Sequence, residues 1–293
     1  MTVRAHYDGH WLVDYLSSAH PHIQLELWQQ RALAGNLEID GRKIYTLDRR
    51  VRAGNRVVHT IPDEIEPAVA VDLSFLHEDD DLVVLHKPAP LPMHPCGRFN
   101  RNSLIPLLKH TFGEDFLPVH RLDADTTGLV VLAKSKLAAT SLAKQFESRQ
   151  VRKIYLARVN GSHAEEAFVC KLPLTPGPAG EGKRHVASSQ ATSGLEAETR
   201  FRLLHACQRQ SLISAEPSSG RTNQIRVHLA ALGLPIVGDD SYSTPETFIS
   251  GRSALCLHAW RLSLVHPRTN VPMHFQDAWP QWAADAASEA CAT

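Results

Sequence analysis

The chain has 293 residues, 43% hydrophobic and 21% charged, and its 31 basic and 31 acidic side chains cancel to a formal net charge of zero. That composition describes an ordinary globular protein, long enough for one large domain or two smaller ones, and it singles out no partner by charge alone. No apolar run approaches the ~18 residues of a membrane helix, and "MTVRAHYDGH" lacks the apolar core of a signal peptide.

The five cysteines are odd in number, scattered and without a CxxC pair. They argue against a disulfide framework or a zinc site and point to a reduced, cytoplasmic setting. Along the first sixty residues, "WLVDYLSSAH" and "QLELWQQRALAG" have helical spacing, the second ending on the helix-stop residue Gly35. "NLEIDGRKI" then reads as a strand, an Asp-Gly turn and a second strand. Between Arg42 and Arg56 six basic residues (Arg42, Lys43, Arg49, Arg50, Arg52, Arg56) meet one acid, Asp48, while residues 61 to 82 hold eight acids and no Lys or Arg. A basic patch beside an acidic stretch averages to zero and still attracts a polyanion. Two helices, a hairpin and this basic run resemble the small RNA-binding module shared by a ribosomal small-subunit protein and tyrosyl-tRNA synthetases, which predicts such a module over residues 1–60.

"IPDEIEPAVAVDLS", with two prolines and four acids, reads as a linker over 61–74. Beyond it, strands are expected at "DLVVLHK", "GLVVLAK", "RKIYLARV", "EAETRFRLL", "SLISAEP" and "ALCLHAWRLSLV", and helices at 102–112, 136–149 and 223–232. Strands outnumber helices and do not alternate with them, so the fold class is α+β with a mixed, mainly antiparallel sheet. This second domain is expected over 75–285, with a tail over 286–293. No internal repeat is visible.

One loop carries the chemistry. In "HRLDADTTGL" the acid Asp123 stands before a Thr-Thr-Gly turn that opens the apolar run "LVVLAK". A carboxylate there is often a plain turn former. Four stretches in order change that reading. "HRLDADTTGLVVLAK", "VRKIYLARVNG", "GRTNQIRVHLAALGLPIVGDDSY" and "LCLHAWRLSLVHP", preceded by "EDDDLVVLHKPAPLPMHPCGR", resemble the motifs of the RluA-type RNA pseudouridine synthases over about residues 70 to 275. Thr127, Asn223 and Pro90 depart from the family's usual Ser, His and Gly. These positions shape the loops rather than replace the acid.

The resemblance implies an enzyme that isomerises uridine in ribosomal or transfer RNA, with Asp123 as its carboxylate. It further implies that Arg226 pairs with Asp123, Tyr155 lies against the uracil ring and Leu257 is an apolar contact to the base. Arg121 is expected at the RNA backbone or in the gap left by a flipped base, and Lys87, Arg98, Lys153 and Arg221 at phosphates. No cofactor, metal, membrane or protein partner is implied, and the expected state is a monomer. "YLARVNG" and "HPCGRFNRNSL" lean toward members acting on transfer RNA anticodon stems, although related enzymes act on large-subunit ribosomal RNA. A catalytically silent RNA chaperone, or an RNA glycosidase pairing Asp123 with Asp125, are the alternatives. His94 and Cys96 lack a second ligand pair for zinc, and His120, His228 and His258 are read as hydrogen-bonded structural histidines.

Overall fold

The structure, a computed structural model, describes residues 1–21, 23–61, 65–176, 184–186, 194–206, 209–243 and 254–290. It divides into two compact units, Met1–Ile65 and Glu66–Thr293.

In the first unit a 3-10 turn (Ala5–Tyr7) precedes α1 (Leu12–Ala19), α2 (Leu25–Leu33), β1 (Leu37–Ile39), β2 (Arg42–Ile44) and β3 (Val57–His59). The β1–β2 hairpin turns on Asp40 and Gly41, both at positive φ (49° and 78°), as a two-residue primed turn requires. A third strand, not expected from the sequence, completes the sheet: β3 pairs antiparallel with the free side of β1. Leu12, Leu16, Trp28, Leu37, Val51 and Val57 fill the core. Arg42, Lys43, Arg49, Arg50, Arg52 and Arg56 are all exposed.

The second unit opens with β4 (Ser74–Glu78), β5 (Leu82–Lys87), α3 (Leu104–Phe112), β6 (Leu117–Pro118), β7 (Thr127–Ala133) and α4 (Lys136–Glu147). It continues with β8 (Arg152–Asn160), β9 (Ala167–Cys170), a β10–β11 ribbon (Leu174–Pro176, Arg184–Val186), β12 (Thr199–Ala206) and β13 (Gln210–Pro217). Last come α5 (Gln224–Ala231), β14 (Leu257–Val265), β15 (Pro272–Gln276) and α6 (Gln281–Ala290). One large sheet runs β4-β5-β7-β14-β8-β13-β12-β9, with β15 beside β14 and β6 beside β7. Among the described strands its single parallel pairing is β7 with β14, so the sheet is mixed and mainly antiparallel, and the fold is α+β.

Two boundaries differ from the sequence reading. Residues from Glu66 onward belong to the second unit rather than to a linker. The Glu66 carboxylate accepts from the amides of Asn100, Arg101 and Asn102, and Ala70 donates to the Pro90 carbonyl. Nor does the unit stop at 285: Ala283 and Ala286 of α6 are buried against Leu156, Leu212 and Trp260.

Gly128 fixes the seam between β7 and β14. Its φ is +108°, and a Cβ there would overlap the carbonyl oxygen of Ala259 and lie 2.7 Å from its amide nitrogen. Only glycine lets the two strands close at this point. Gly128→Ala combines backbone strain with overpacking against main chain and should cost about 3 kcal/mol or more. Urea unfolding checks this; a loss under about 1 kcal/mol would show that the seam can give.

Candidate active site

A cavity of about 360 Å³ opens at the ends of three neighbouring strands, a size suited to a small ligand. The loop before β7 brings Arg121 and Asp123, β8 brings Lys153 and Tyr155, and β14 brings Leu257. The turn into α5 adds Arg221, Asn223 and Arg226. Register explains the convergence. Ala259 of β14 stands opposite Gly128 on one side and Tyr155 on the other, which sets the acid-bearing loop and the tyrosine across one strand.

Helix α5 is unusual in that every residue from Gln224 to Leu229 is buried. Asn223 enters it at φ 55°, a left-handed conformation that asparagine tolerates better than most residues. Asn223 Nδ2 donates to the Tyr242 hydroxyl at 2.9 Å. Buried in such a helix, Arg226 requires an anion.

That anion is chiefly Asp239, which the sequence reading did not assign. Arg226 Nε donates to Asp239 Oδ2 at 2.8 Å and Nη2 to Oδ1 at 2.7 Å. Asp239, with a side chain 1% exposed, also accepts from the amides of Ser241 and Tyr242. The expected pairing of Arg226 with Asp123 is present but longer, with Nη1 lying 3.7 Å from Oδ2. The Tyr242 ring covers the guanidinium, its centroid 5.2 Å from Cζ. Burial alone would lower the Arg226 pKa, but the bonds to Asp239 outweigh it and hold the group charged.

Asp123 is left in an uneven balance. Burial pushes its pKa above the ordinary aspartate value, with Asp125 adding to the rise, while Arg226, Arg121 and Lys87 favour the anion without cancelling the effect. Tyr155 is buried as well, and burial together with the Asp123 charge raises its phenol. The phenol therefore stays protonated at neutral pH, offering a flat apolar face and an O–H.

Arg121, Lys153, Arg221 and Leu257 all line the cavity, as do Glu147 and Arg149 at the end of α4, which the sequence reading passed over. Lys87 does not. It is fully buried, and its Nζ donates to the carbonyls of Pro88 (2.9 Å), Leu91 (2.9 Å) and Ala124 (3.1 Å). It is an internal brace of the Asp123 loop, not a phosphate contact. Burial lowers its pKa to about 7, against the pull of Asp125 and Asp123. Arg98 is exposed on the turn closed by the Cys96–Phe99 bridge, outside the cavity lining.

The three histidines serve the fold. His120 Nε2 accepts from the Val131 amide. His228 bonds Thr199 and the Leu172 carbonyl. His258 Nδ1 bonds the Thr127 hydroxyl at 2.8 Å. Two groups among the described residues gather three metal-capable atoms, His86 with His258 and Asp277, and Asp79 with Asp81 and His266. Both are already joined internally, by His86 to Asp277 at 2.6 Å and by His266 to Asp79 at 3.2 Å, and Arg268 donates to Asp81.

Known proteins resemble the chain in sequence and in fold. The family described as RNA pseudouridylate synthase matches residues 81–231. An uncharacterized RNA pseudouridine synthase of Synechocystis sp. is 32% identical over 269 residues, covering 88% of this chain and 90% of its own. The ribosomal large subunit pseudouridine synthase D of Nitrosomonas europaea is 36% identical, covering 79% and 68%. Among solved structures, human RNA pseudouridylate synthase domain containing 1 superposes with a TM-score of 0.63 at 27% identity, covering 74% of this chain and 87% of that one.

Two outcomes follow from the buried charges. Asp239→Asn leaves Arg226 buried without its fork and should cost about 3–5 kcal/mol in urea unfolding; a loss below about 1 kcal/mol would mean the fork is not holding the helix. For Lys87 the folded pKa of about 7 lies below the free value of 10.5. The folded state therefore sheds a proton before the unfolded state does, and stability rises with pH across that window. Wild type should gain on Lys87→Met in melting temperature between about pH 7 and 10, while RNA affinity at neutral pH stays the same. A weaker RNA affinity in the variant would restore the phosphate role.

Proposed function

The chain belongs to the RNA pseudouridylate synthase family, and from that premise we propose that the cavity at Asp123 is where it acts. The reaction is the isomerisation of uridine to pseudouridine in ribosomal or transfer RNA. The N1–C1′ bond breaks, the uracil turns and a C5–C1′ bond forms. The C5 proton leaves and N1 ends protonated, so atoms and electrons balance within the nucleoside. The observation that carries the assignment is an aspartate with raised pKa, in a cavity shared with Tyr155, 3.7 Å from an arginine that is held from behind.

A uridine must leave its stack to enter such a pocket. There Asp123 can meet the ribose-base junction as nucleophile or as base, and partial desolvation raises its reactivity in either role. With Nε and Nη2 committed to Asp239, Nη1, which also donates to Asn223 Oδ1 at 3.4 Å, is the nitrogen that can steady the carboxylate as charge shifts. Tyr155 and Leu257 form the apolar walls for the ring, with Arg121 at the rim. The exposed basic residues of the first unit support a second reading of ours, that this unit anchors the RNA backbone.

Asp123→Asn should bind RNA yet release no tritium from C5-labelled uridine in RNA. Near wild-type release would remove the assignment. Because the fold disfavours the Asp123 anion, the neutral variant should melt at the same or a higher temperature at pH 7. That advantage should fade as pH falls from the raised folded pKa toward the ordinary carboxylate value of about 4, below which the aspartate is protonated in both states. Mapping pseudouridine in total RNA with and without the protein identifies the target. An anticodon-stem position fits the resemblance of "YLARVNG" and "HPCGRFNRNSL"; a large-subunit ribosomal position fits the Nitrosomonas relative. Reversing Arg49, Arg50 and Arg52 to Glu should weaken RNA binding and flatten its salt dependence by roughly one unit of slope per lost phosphate contact. An unchanged slope would leave the first unit without a role in binding.

A further inference from the structure

Arg149 stands at a junction. It lines the Asp123 cavity and two further hollows, of about 280 and 520 Å³, and among the described residues no other lines all three. It follows directly on the end of α4, exposed and at φ 59°. A non-glycine residue adopts that conformation at some cost.

Its charge is uncommitted. Three of the other four cations are matched: Arg152 forks Glu216 at 2.8 and 2.9 Å, and Arg200 and Lys171 share Glu198 at 3.1 and 3.4 Å, while Lys153 turns to the Ser219 carbonyl at 3.4 Å. Among the described residues Arg149 makes no ion pair, although a helix C-terminus lies beside it. The two outer hollows together present five cationic side chains against three carboxylates. A trough that is polar, continuous with a nucleoside-sized cavity and cationic at the joint suits a phosphodiester chain better than an apolar ligand or a helix face.

We propose that the hollows beyond Arg149 carry the single-stranded RNA that flanks the target uridine, with Arg149 holding the first phosphate outside the catalytic cavity. This rests on the reading of the Asp123 cavity as the uridine site. A duplex would not fit the requirement that one strand pass continuously from a flipped nucleotide into the neighbouring hollow. The outer arginines then exchange a glutamate for a phosphate as the strand settles, whereas Arg149 meets it directly.

The test uses the full chain and two fluorescent probes, a uridine nucleoside, which carries no phosphate, and a uridine nonanucleotide. Arg149→Asn suits the left-handed backbone and keeps the fold. It should weaken nonanucleotide binding several-fold and reduce the slope of log affinity against log salt by about 0.7, with nucleoside binding unchanged. Arg149→Lys should restore the slope, and Arg149→Glu should deepen the loss. In tritium release from RNA, KM should rise with kcat unchanged. An unaltered salt slope on the nonanucleotide, or an equal loss on the nucleoside, overturns the proposal. Failure of the underlying reading looks different, because tritium release would then survive Asp123→Asn whatever the Arg149 variants do.

Discussion

The grip of Asp239 on Arg226 decides what remains for Asp123. A guanidinium set between two carboxylates could have shared itself evenly. Here it does not, with two short bonds on one side and a 3.7 Å approach on the other. The near carboxylate is structural, and the far one, the acid we propose to be catalytic, is held only loosely. An Asp123 fully neutralised by a fork of its own would be a poorer nucleophile or base, since a tight ion pair lowers the basicity of its anion. The cover of Tyr242 over the guanidinium and the burial of α5 on all sides serve this division.

Lys87 shows a different use of a buried cation. Arg226 is satisfied by a carboxylate, whereas Lys87 is satisfied by three carbonyls. The Ala124 carbonyl also accepts from the Leu91 amide, so the peptide next to Asp123 is held by two donors. The proposed catalytic acid is thus carried on a loop braced from behind, while among the described residues its own carboxylate makes no short ion pair. Rigidity and reactivity are separated between neighbouring residues.

Much of this was legible in the sequence. The six central strands announced themselves in two ways: β5 and β7 are covered on both faces and carry the apolar run "LVVL", whereas β12 alternates buried and exposed residues at its start. Asp123 was legible through its turn and the order of four motifs. Asp239 lay inside one of those motifs and still went unassigned, because its pairing crosses a loop of no fixed period. Lys87 was misread for a related reason: a basic side chain defaults to the surface, and its burial depends on carbonyls at 88, 91 and 124 that leave no pattern. Edge strands β4 and β15 are short and exposed along most of their length, so neither carries the long apolar run that marks β5 and β7. Helix α6 buries small alanines, which resemble a polar tail until the sheet they cover is known.

The position of β14 has a consequence for how the protein is made. It lies between β7 and β8 in the sheet, yet it is nearly the last strand in the chain. During synthesis the earlier strands can form only two separate ribbons, one ending on β7 with the Asp123 loop and the other on β8 with Tyr155. Each exposes an unpaired, strongly apolar edge until residues 257–265 leave the ribosome and join them. Pairings this distant in sequence are slow to form. The nascent chain therefore holds the two halves of the Asp123 cavity apart until this strand is made, and a message truncated before it yields two sticky half-sheets instead of a weakened fold.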